Sequence, residues 1–323
     1  MSVDIGFIGA GGIASTHLRN LESRDTGDVV AICDIDEAAA TAAAEPHDAA
    51  VFTEFSAMYE AVDLDAVFIC VPPFAHGDAE REAIEHGIDL LIEKPLALQA
   101  ETAREIEAAI DDAGVLSQVG HMTRYADIVE RAEELIGDRP LALVDGHWWG
   151  GVPGTAWWRV KAQSGGQVVE QATHTYDIVR YFAGDIARVL ATGSQQVVTE
   201  SIDFEDATSA SMLHADGTTS HVSASSASPA GKHGVQLIGE DFSLELDFRA
   251  NTLTGVVGGD NVDYEGSGET YGPELDAFLE AVETRDGSDL RSPYGDARQT
   301  FEATLAVNES IETGDPVDVE VLE

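Results

Sequence analysis

Three ionisable side chains, Glu170, His174 and Asp177, stand at positions i, i+4 and i+7 of a segment that is patterned as a helix. This spacing places all three on one helical face. A carboxylate four residues before a histidine can hold the imidazole in one tautomer and keep it basic, which a general base requires. The same spacing also occurs in ordinary surface ion pairs. The helix alone therefore leaves two interpretations open, a catalytic base or a solvated pair.

A lysine follows a predicted strand in the first third of the chain. Glu93, Lys94 and Pro95 come directly after the largely apolar run 88–92, and open parallel sheets bind ligands at the carboxyl ends of their strands. Lysine is scarce in this sequence. At that edge Lys94 could donate a hydrogen bond to a substrate oxygen and lower the pKa of a neighbouring base. A surface lysine paired with Glu93 is the alternative that position alone leaves open.

The elements that must position these groups begin with a glycine turn near the start of the chain. A short apolar strand runs into Gly9, Gly11 and Ala14, which fill the G-x-G-x-x-G/A positions of a dinucleotide-binding turn. The N–H groups and dipole of the helix that follows would face a pyrophosphate. The alternative is a strand-to-helix turn without a ligand. The cofactor-binding residues predicted here are Gly9, Gly11, Gly12, Ile13 and Ala14.

A second apolar run ends in Asp34, at the distance from Ala14 that is expected of an acid binding the adenosine ribose. A carboxylate there accepts a hydrogen bond from a free 2′-hydroxyl and repels a 2′-phosphate. The next residues, Ile35 and Asp36, supply no positive charge to offset it. The sequence therefore favours NAD over NADP.

The pattern of elements predicts two domains. Residues 1–120 alternate strands, near 3–8, 28–34, 66–71, 88–92 and 115–119, with amphipathic helices, which indicates a doubly wound parallel sheet. Residues 121–323 are richer in Val, Thr and Ser and predict a second, α+β domain with a mostly antiparallel sheet. Its predicted strands lie near 141–149, 187–199, 207–214, 218–226, 234–240, 242–248 and 251–257, and its helices near 168–183, 272–285 and 295–313.

The charge of the chain limits its partners. The formal net charge is −43, which makes nucleic-acid binding very unfavourable. Acidic residues are spread along the whole sequence, as suits a protein dissolved in concentrated salt, where screening reduces self-repulsion. We therefore expect a cytoplasmic protein of a halophile, although a basic protein partner could also select for acidic residues.

Other sites and locations leave no sequence signal. Two cysteines provide no disulfide framework, and scattered histidines without a Cys-x-x-Cys motif predict no metal site. There is neither a signal-peptide pattern nor an apolar run long enough for a membrane span. We expect no contact with membranes.

Several of these motifs occur together in an order that resembles one enzyme family. They are the glycine turn followed by His17, the segment 70–76, Glu93-Lys94-Pro95, the segment 120–125, the helix with Glu170 and His174, and the tail 314–317. The resemblance is to the glucose–fructose oxidoreductase, inositol dehydrogenase and rhizopine-catabolism (Gfo/Idh/MocA) family. It implies a Rossmann domain joined to an open-faced sheet domain, a homodimer or homotetramer formed through that sheet, and oxidation or reduction of a sugar or polyol with a nicotinamide cofactor.

The resemblance also assigns roles to single residues. Lys94 matches the family's catalytic lysine, which would contact both cofactor and substrate, and His174 matches its acid/base histidine. Glu170 matches a carboxylate that is usually Asp in the family, so its contact is longer by one methylene. The remaining matches are Val71, Pro72, Pro73, His76 and Glu93 toward the cofactor, and His121, Arg124 and Asp177 toward the substrate. For His76, a histidine that caps its own turn is an equal alternative.

All four tryptophans lie in two pairs shortly before the glycines at 165 and 166. Tryptophan faces stack on sugar rings, and an arginine can hold a hydroxyl or phosphate. Trp158 and Arg159 are therefore candidate substrate-binding residues, with packing as an equal alternative. For Trp148 and Trp149, on an alternating strand, packing is the better interpretation.

Together these features predict an NAD(P)-dependent dehydrogenase or reductase that acts on the CH–OH group of a sugar or polyol, with His174 and Lys94 as acid/base residues. Two other classes keep the same fold. One is a glycosidase that uses a tightly held NAD in a redox-assisted mechanism. The other is a sugar sensor that binds NAD without turnover.

Overall fold

Strands and helices alternate through the first 120 residues, as the sequence predicts. The computed structural model describes residues 2–321. Six parallel strands form a sheet in the order β3-β2-β1-β4-β5-β6, the doubly wound order of dinucleotide-binding domains. The strands are β1 (Val3–Ile8), β2 (Gly27–Cys33), β3 (Ala50–Phe52), β4 (Ala66–Ile69), β5 (Asp89–Ile92) and β6 (Ser117–Val119). The helices between them are α1 (Gly12–Leu21), α2 (Glu37–Ala44), α3 (Phe55–Ala61), α4 (Asp78–Glu85) and α5 (Ala100–Ala113).

The central strands of this sheet hold the core of the first unit. β4 and β5 are buried along their whole length, as expected of parallel strands that helices cover on both faces. Their apolar runs end at the carboxyl edge of the sheet, where the glycine turn and Lys94 follow β1 and β5. The predicted parallel sheet is confirmed, although the sequence pattern missed the short β3.

The second unit is built on a nine-stranded, mostly antiparallel sheet, as predicted. Its order is β14-β13-β12-β11-β7-β10-β9-β8-β15, and β7 and β10 run parallel. The strands are β7 (Leu141–Trp149), β8 (Ile186–Ser194), β9 (Ala207–His214), β10 (Thr219–Ser225), β11 (Lys232–Gly239), β12 (Phe242–Asp247), β13 (Thr252–Val257), β14 (Asp260–Glu265) and β15 (Val317–Asp318). The helices of this unit are α6 (Asp127–Ile136), α7 (Lys161–Ser164), α8 (Gly166–Glu170), α9 (Thr173–Ala183) and most of α11 (Tyr294–Thr313). Between α9 and α11 in the chain lies α10 (Tyr271–Thr284), which belongs to the first unit.

One face of this sheet packs against α6 and α9. The side chains on its other face are exposed or half-buried along β9 and β10, and we call it the open face. Along β9 every second residue is buried while its neighbours are exposed or half-buried, because successive side chains of a strand point to opposite faces. The inward face carries the core of the second unit, which includes Val144, Val222, Val235 and Leu237. The open face is rich in serine and threonine along β9 and β10.

The two units do not divide the chain at a single point. The first unit comprises the chain up to Gly120 together with Tyr271–Asp296, and the rest forms the second unit. The sequence assigns all of 121–323 to the second domain, whereas the structure places the segment that contains α10 in the first unit. The cause of this difference is packing, because Leu275, Phe278 and Leu279 of α10 are buried in the same core cluster as β1 and β4.

The structure also differs from the single helix that the sequence predicts over 168–183. This segment forms two helices, α8 and α9, because the carbonyl of Gln167 accepts from both Gln171 N and Ala172 N. The bond from Ala172 spans five residues, which widens the turn and ends α8. Glu170 and His174 therefore lie on successive helices rather than on one continuous face.

Within residues 2–321, no helix is long and apolar enough to cross a membrane.

Candidate active site

The glycine turn has the backbone that a dinucleotide requires. Gly9 adopts φ +92°, and a Cβ there would lie 2.3 Å from the carbonyl oxygen of Cys70, so only glycine fits. A Cβ on Gly11 would meet no atom within 4 Å, which leaves open space in front of the N-terminus of α1, where no side chain caps the helix. Ala14 is fully buried and Ile13 packs against the core. These residues fit a pyrophosphate on the N–H groups of the turn.

Asp34 is tied to the same turn. Its Oδ2 accepts from Ala10 N at 2.7 Å, and its Oδ1 accepts from Asp36 N at 2.8 Å. The side chain of Ile35 beside it is almost wholly exposed. The carboxylate is thus held at the carboxyl end of β2 by two backbone bonds, and each of its oxygens keeps a further lone pair for a ribose hydroxyl.

The loop after β4 is closed by a histidine–glutamate pair. His76 Nδ1 lies 2.5 Å from Glu80 Oε1, and the side chains of both residues are almost fully buried. Glu80 Oε2 also accepts from Gly77 N at 2.6 Å. Burial opposes ionisation of Glu80, yet the His76 ring and the Gly77 N–H hold the pKa of its carboxyl below its ordinary value. It is Glu80, and not His76, that caps the start of α4, which sets aside the capping alternative for His76.

The other predicted residues of this loop are held in place by the same short segment. Val71 and Pro72 are half-buried, while Pro73 is buried and starts a single turn of 3₁₀ helix, Pro73–Ala75. The loop follows directly on the buried strand β4 at the carboxyl edge of the sheet, where doubly wound folds bind cofactors.

Glu93 and Lys94 follow β5 at this same edge. Glu93 is 4% exposed, and its Oε1 lies 2.8 Å from Nε2 of His17, which is fully buried in α1. The resemblance implies a ribose contact for Glu93, whereas the structure pairs its carboxylate with His17. Lys94 is half-buried, and its peptide bond to Pro95 is cis. The sequence motif included His17 but did not indicate this partner.

Tyr271 is a second residue of this region that sequence reasoning missed. Its ring lies edge-on to His17, with centroids 5.6 Å apart. Burial, together with the nearby carboxylates of Glu93 and Glu274, raises the pKa of the Tyr271 hydroxyl. Tyr271 lies far along the chain in α10, so only the packing of that helix into the first unit brings it here.

In the second unit, Arg124 and Asp177 hold each other. Arg124 Nε and Nη2 donate to the two oxygens of Asp177 at 2.8 and 2.6 Å, and both residues are buried. Thr300 Oγ1 donates to the same carboxylate at 2.9 Å, and His121 Nδ1 lies 3.6 Å from it. The carboxylate of Asp177, which is predicted to bind substrate, is therefore held in a bidentate ion pair with Arg124. It lies beside His121 and can support that ring.

His174 lies in a cluster of rings. The ring of Trp148 stacks on it with centroids 5.6 Å apart and an interplanar angle of 26°, and His121 meets it edge-on at 6.3 Å. His233 lies next to both rings, with its centroid 4.5 Å from that of Trp148 and 6.4 Å from that of His174. Burial, with smaller contributions from His147 and Arg249, lowers the pKa of His233 to about 3, so this ring is neutral. We call Trp148, His174 and His233 the ring cluster.

Trp148 packs against the core of the second unit, in agreement with the packing interpretation, and its ring also contacts His174. The sequence did not indicate His233 at all. The signal that could have found it is strand pairing, because antiparallel β7 and β11 set Trp148 directly opposite His233. Cross-strand partners on one face lie in contact.

Glu170 receives a hydrogen bond from a buried tryptophan. Trp158 Nε1 donates to Glu170 Oε2 at 2.5 Å. Trp158 is 1% exposed and meets Phe204 edge-on at 5.1 Å, so its ring has no free face for a sugar, which corrects the stacking interpretation. Arg159 donates from Nε and Nη2 to the carbonyl of Pro153 at 3.3 and 3.2 Å. Through these hydrogen bonds Trp158 and Arg159 stabilise the chain just before α7.

No candidate metal site accompanies these groups. Over the part of the chain that the structure describes, no three His, Cys, Asp or Glu side chains are arranged to hold a metal ion.

Comparison with known proteins identifies the family. Residues 3–121 match the model described as "Oxidoreductase family, NAD-binding Rossmann fold", and residues 133–245 match the "GFO/IDH/MocA C-terminal domain". Among solved structures, levoglucosan dehydrogenase in complex with NADH has the same fold, with a TM-score of 0.90, 19% identity and full coverage of both chains.

Two curated relatives illustrate the range of the similarity. D-xylose 1-dehydrogenase (NADP(+)) 2 of Haloferax volcanii is 26% identical, over 98% of this chain and 99% of the relative. 2,7-Anhydro-N-acetylneuraminate hydratase of Mediterraneibacter gnavus is 24% identical, over 64% of this chain and 56% of the relative. The chain therefore belongs to the Gfo/Idh/MocA family of oxidoreductases and is a nicotinamide-dependent dehydrogenase whose first unit is the NAD-binding Rossmann fold.

Proposed function

We propose that the protein oxidises or reduces a sugar or polyol at a CH–OH group, with His174 as the acid/base residue. The observation that carries this proposal is the ring cluster. His174 is packed beside Trp148, while the neighbouring His233 is kept neutral by burial. An imidazole in such a setting, with no added positive charge from His233, is suited to accept a proton.

Each remaining side chain supports this step. In the oxidation direction His174 removes the hydroxyl proton, and Lys94 donates a hydrogen bond to the same oxygen and stabilises its developing negative charge. Glu170, whose carboxylate accepts a hydrogen bond from Trp158, is the carboxylate that we propose to act with His174. The Arg124–Asp177 pair supports His121 beside it. NAD, when bound, supplies the hydride acceptor.

The cofactor would be held by the first unit. Gly9, Gly11, Gly12 and the start of α1 fit the pyrophosphate, and Asp34 fits the adenosine ribose. A fixed carboxylate at this position favours NAD over NADP. The loop with Pro72 and His76 follows β4 at the same edge.

The test is a panel of aldoses, ketoses and inositols, assayed in multimolar KCl by the absorbance of NADH and NADPH. With the best substrate, we expect His174→Ala to lower kcat by roughly 10²–10⁴ with little change in NAD affinity, and Lys94→Met to lower kcat by a similar factor. His221→Ala is the matched control. His221 bonds Ser209 and Asp145 on the open face of the sheet, so its loss should leave kcat unchanged. A His174→Ala variant within a few-fold of wild type would refute the catalytic assignment.

A second candidate function is redox-assisted cleavage or hydration without net oxidation. It is favoured by the similarity to a hydratase that acts on an anhydrosugar acid. Stoichiometric accumulation of NADH with a free sugar would exclude it. Product formation at constant NADH absorbance would instead support it.

We further propose that the protein works in the cytoplasm of a halophile. The net charge of −43 and the full-length similarity to a Haloferax dehydrogenase support this. Self-repulsion should destabilise the fold as salt is removed. A melting temperature that does not depend on KCl between about 0.2 and about 3 M would contradict the proposal.

The open face of the nine-stranded sheet is the surface we propose for a homodimer or homotetramer. It exposes Leu190, Leu213 and Trp149, which is apolar area that a second copy would cover. Light scattering of Leu213→Glu against wild type tests this, because a charge at the interface should shift the population toward monomers.

A further inference from the structure

His17 and Glu93 form a buried pair that the proposed chemistry does not use. His17 is fully buried and Glu93 is 4% exposed, and Nε2 and Oε1 lie 2.8 Å apart. A carboxylate with so little access to water is costly unless a specific donor satisfies it. The pair joins residues that are far apart in sequence, so the fold and not local structure creates it.

The surroundings of Glu93 leave it little freedom. A Cβ on Gly120 would lie 2.8 Å from the carboxylate of Glu93, so the backbone after β6 closes against it. The backbone N–H of Glu93 donates to Ile69 O at 2.9 Å, at the end of β4. The ring of Tyr271 covers His17 from α10. The Glu93 side chain therefore points into the first unit.

The two ends of the pair belong to the two parts of the cofactor site. His17 lies in α1, the helix that begins at the glycine turn, and Glu93 is the residue before Lys94. A shift of α1 along its axis would move the N–H groups that face the pyrophosphate. A shift of Glu93 would move the backbone of Lys94. The hydrogen bond between His17 and Glu93 therefore fixes the position of α1 relative to the backbone of Lys94.

We propose that His17 and Glu93 are positioning residues that hold Lys94 in register with the pyrophosphate-binding end of α1. This inference rests on the proposed role of Lys94. It also gives Glu93 a role that differs from a ribose contact, because its carboxylate is hydrogen-bonded to His17. Glu93 would then act by positioning the neighbouring residue, Lys94.

A double-mutant cycle tests the inference. His17→Leu removes the donor to Glu93, and we expect kcat to fall roughly tenfold to a hundredfold, since small displacements of a catalytic group have effects of this size. The KM for NAD should change less than about threefold. In a Lys94→Met background the same substitution should lower kcat by no more than about twofold, because the group it positions is gone.

A purely structural role for the pair would give a different result. The effects of His17→Leu and Lys94→Met would then multiply, and that outcome would overturn the inference. Wild-type kcat in His17→Leu would overturn it as well. If Lys94→Met alone keeps wild-type kcat, the proposed role of Lys94 fails, and a loss of kcat in His17→Leu then cannot act through it. The single Lys94 variant thus tests the proposed function, and the cycle tests the pair.

Two further variants keep the test valid if His17→Leu folds poorly. His17→Gln retains an amide N–H that reaches the position of Nε2, so we expect it to recover most of the kcat lost in His17→Leu. His214→Leu removes a buried histidine of the second unit, which bonds Gly184 O and Ser220 Oγ. It should lower the melting temperature without changing the kcat of the folded protein. Equal losses of kcat in His17→Gln and His17→Leu would contradict a positioning role.

Discussion

The first unit forms its cofactor-binding turn with backbone, whereas the second unit holds its candidate catalytic groups with pairs of side chains. In the first unit Gly9 turns the chain at a positive φ, and Ala10 N holds Asp34. In the second unit Arg124 grips Asp177, Trp158 donates to Glu170, and Trp148 stacks on His174. A group that the backbone holds in position depends on a few neighbouring residues, while a group that side chains hold in position needs partners from distant elements.

The difference means that the two regions should fail in different ways. A substitution in the glycine turn should alter the backbone and cofactor binding together. A substitution in one of the second unit's buried pairs should leave a buried group without its partner, and so should lower stability more than it alters chemistry. Three experiments test this comparison.

The largest effect is expected for Asp177→Ala. It leaves the buried Arg124 guanidinium without its carboxylate, and breaking such a pair costs about 3–5 kcal/mol. Urea-induced unfolding measures the loss. Glu134→Ala, which breaks the exposed ion pair with Arg131, is the control and should cost less than about 1 kcal/mol. If Asp177→Ala instead kept its stability and lost substrate binding, Asp177 would be a substrate ligand, as the sequence suggests.

An intermediate effect is expected for the glycine turn. Gly9→Ala forces a residue with a Cβ into φ +92° against the carbonyl of Cys70, and the backbone strain alone costs about 1–3 kcal/mol. Gly11→Ala meets open space, so the melting temperature should stay near that of wild type while NAD binds about tenfold more weakly. Equal loss of stability in the two variants would show that the turn is not set by Gly9 in the way described.

The smallest effect is expected for Asp34→Asn. The amide oxygen still accepts from Ala10 N, but the amide nitrogen can no longer accept from Asp36 N. The charge that favours a ribose hydroxyl is also removed, which should weaken NAD by about 1 kcal/mol, or roughly fivefold in Kd. NADP should bind more tightly, because the repulsion of its 2′-phosphate is relieved. Isothermal titration with both cofactors measures the difference. Parallel changes for NAD and NADP would show that Asp34 supports the turn without reading the 2′ position.

The same contrast explains what the sequence could predict. The glycine turn and both sheets follow from spacing and hydrophobic pattern, which are local properties. The break between α8 and α9 does not, because it depends on one carbonyl, that of Gln167, accepting two bonds. β14 was missed because it contains Asp260, Asp263 and Glu265, and acidic residues are depleted in strands.

The missed site residues share a different cause. His233 and the Trp158–Glu170 bond depend on strand pairing and on the burial of Trp158 among Ile202 and Phe204. Tyr271 depends on the return of α10 to the first unit. No pattern in one sequence carries that information.

The assignment of α10 to the first unit has a consequence for synthesis on the ribosome. The chain leaves this unit after Gly120 and returns at Tyr271, with Phe278 and Leu279 among its most buried side chains. The six strands are therefore translated long before the helix that completes their core. During that interval the nascent first unit exposes an apolar surface, and a fragment ending near Gly120 should need a chaperone or aggregate.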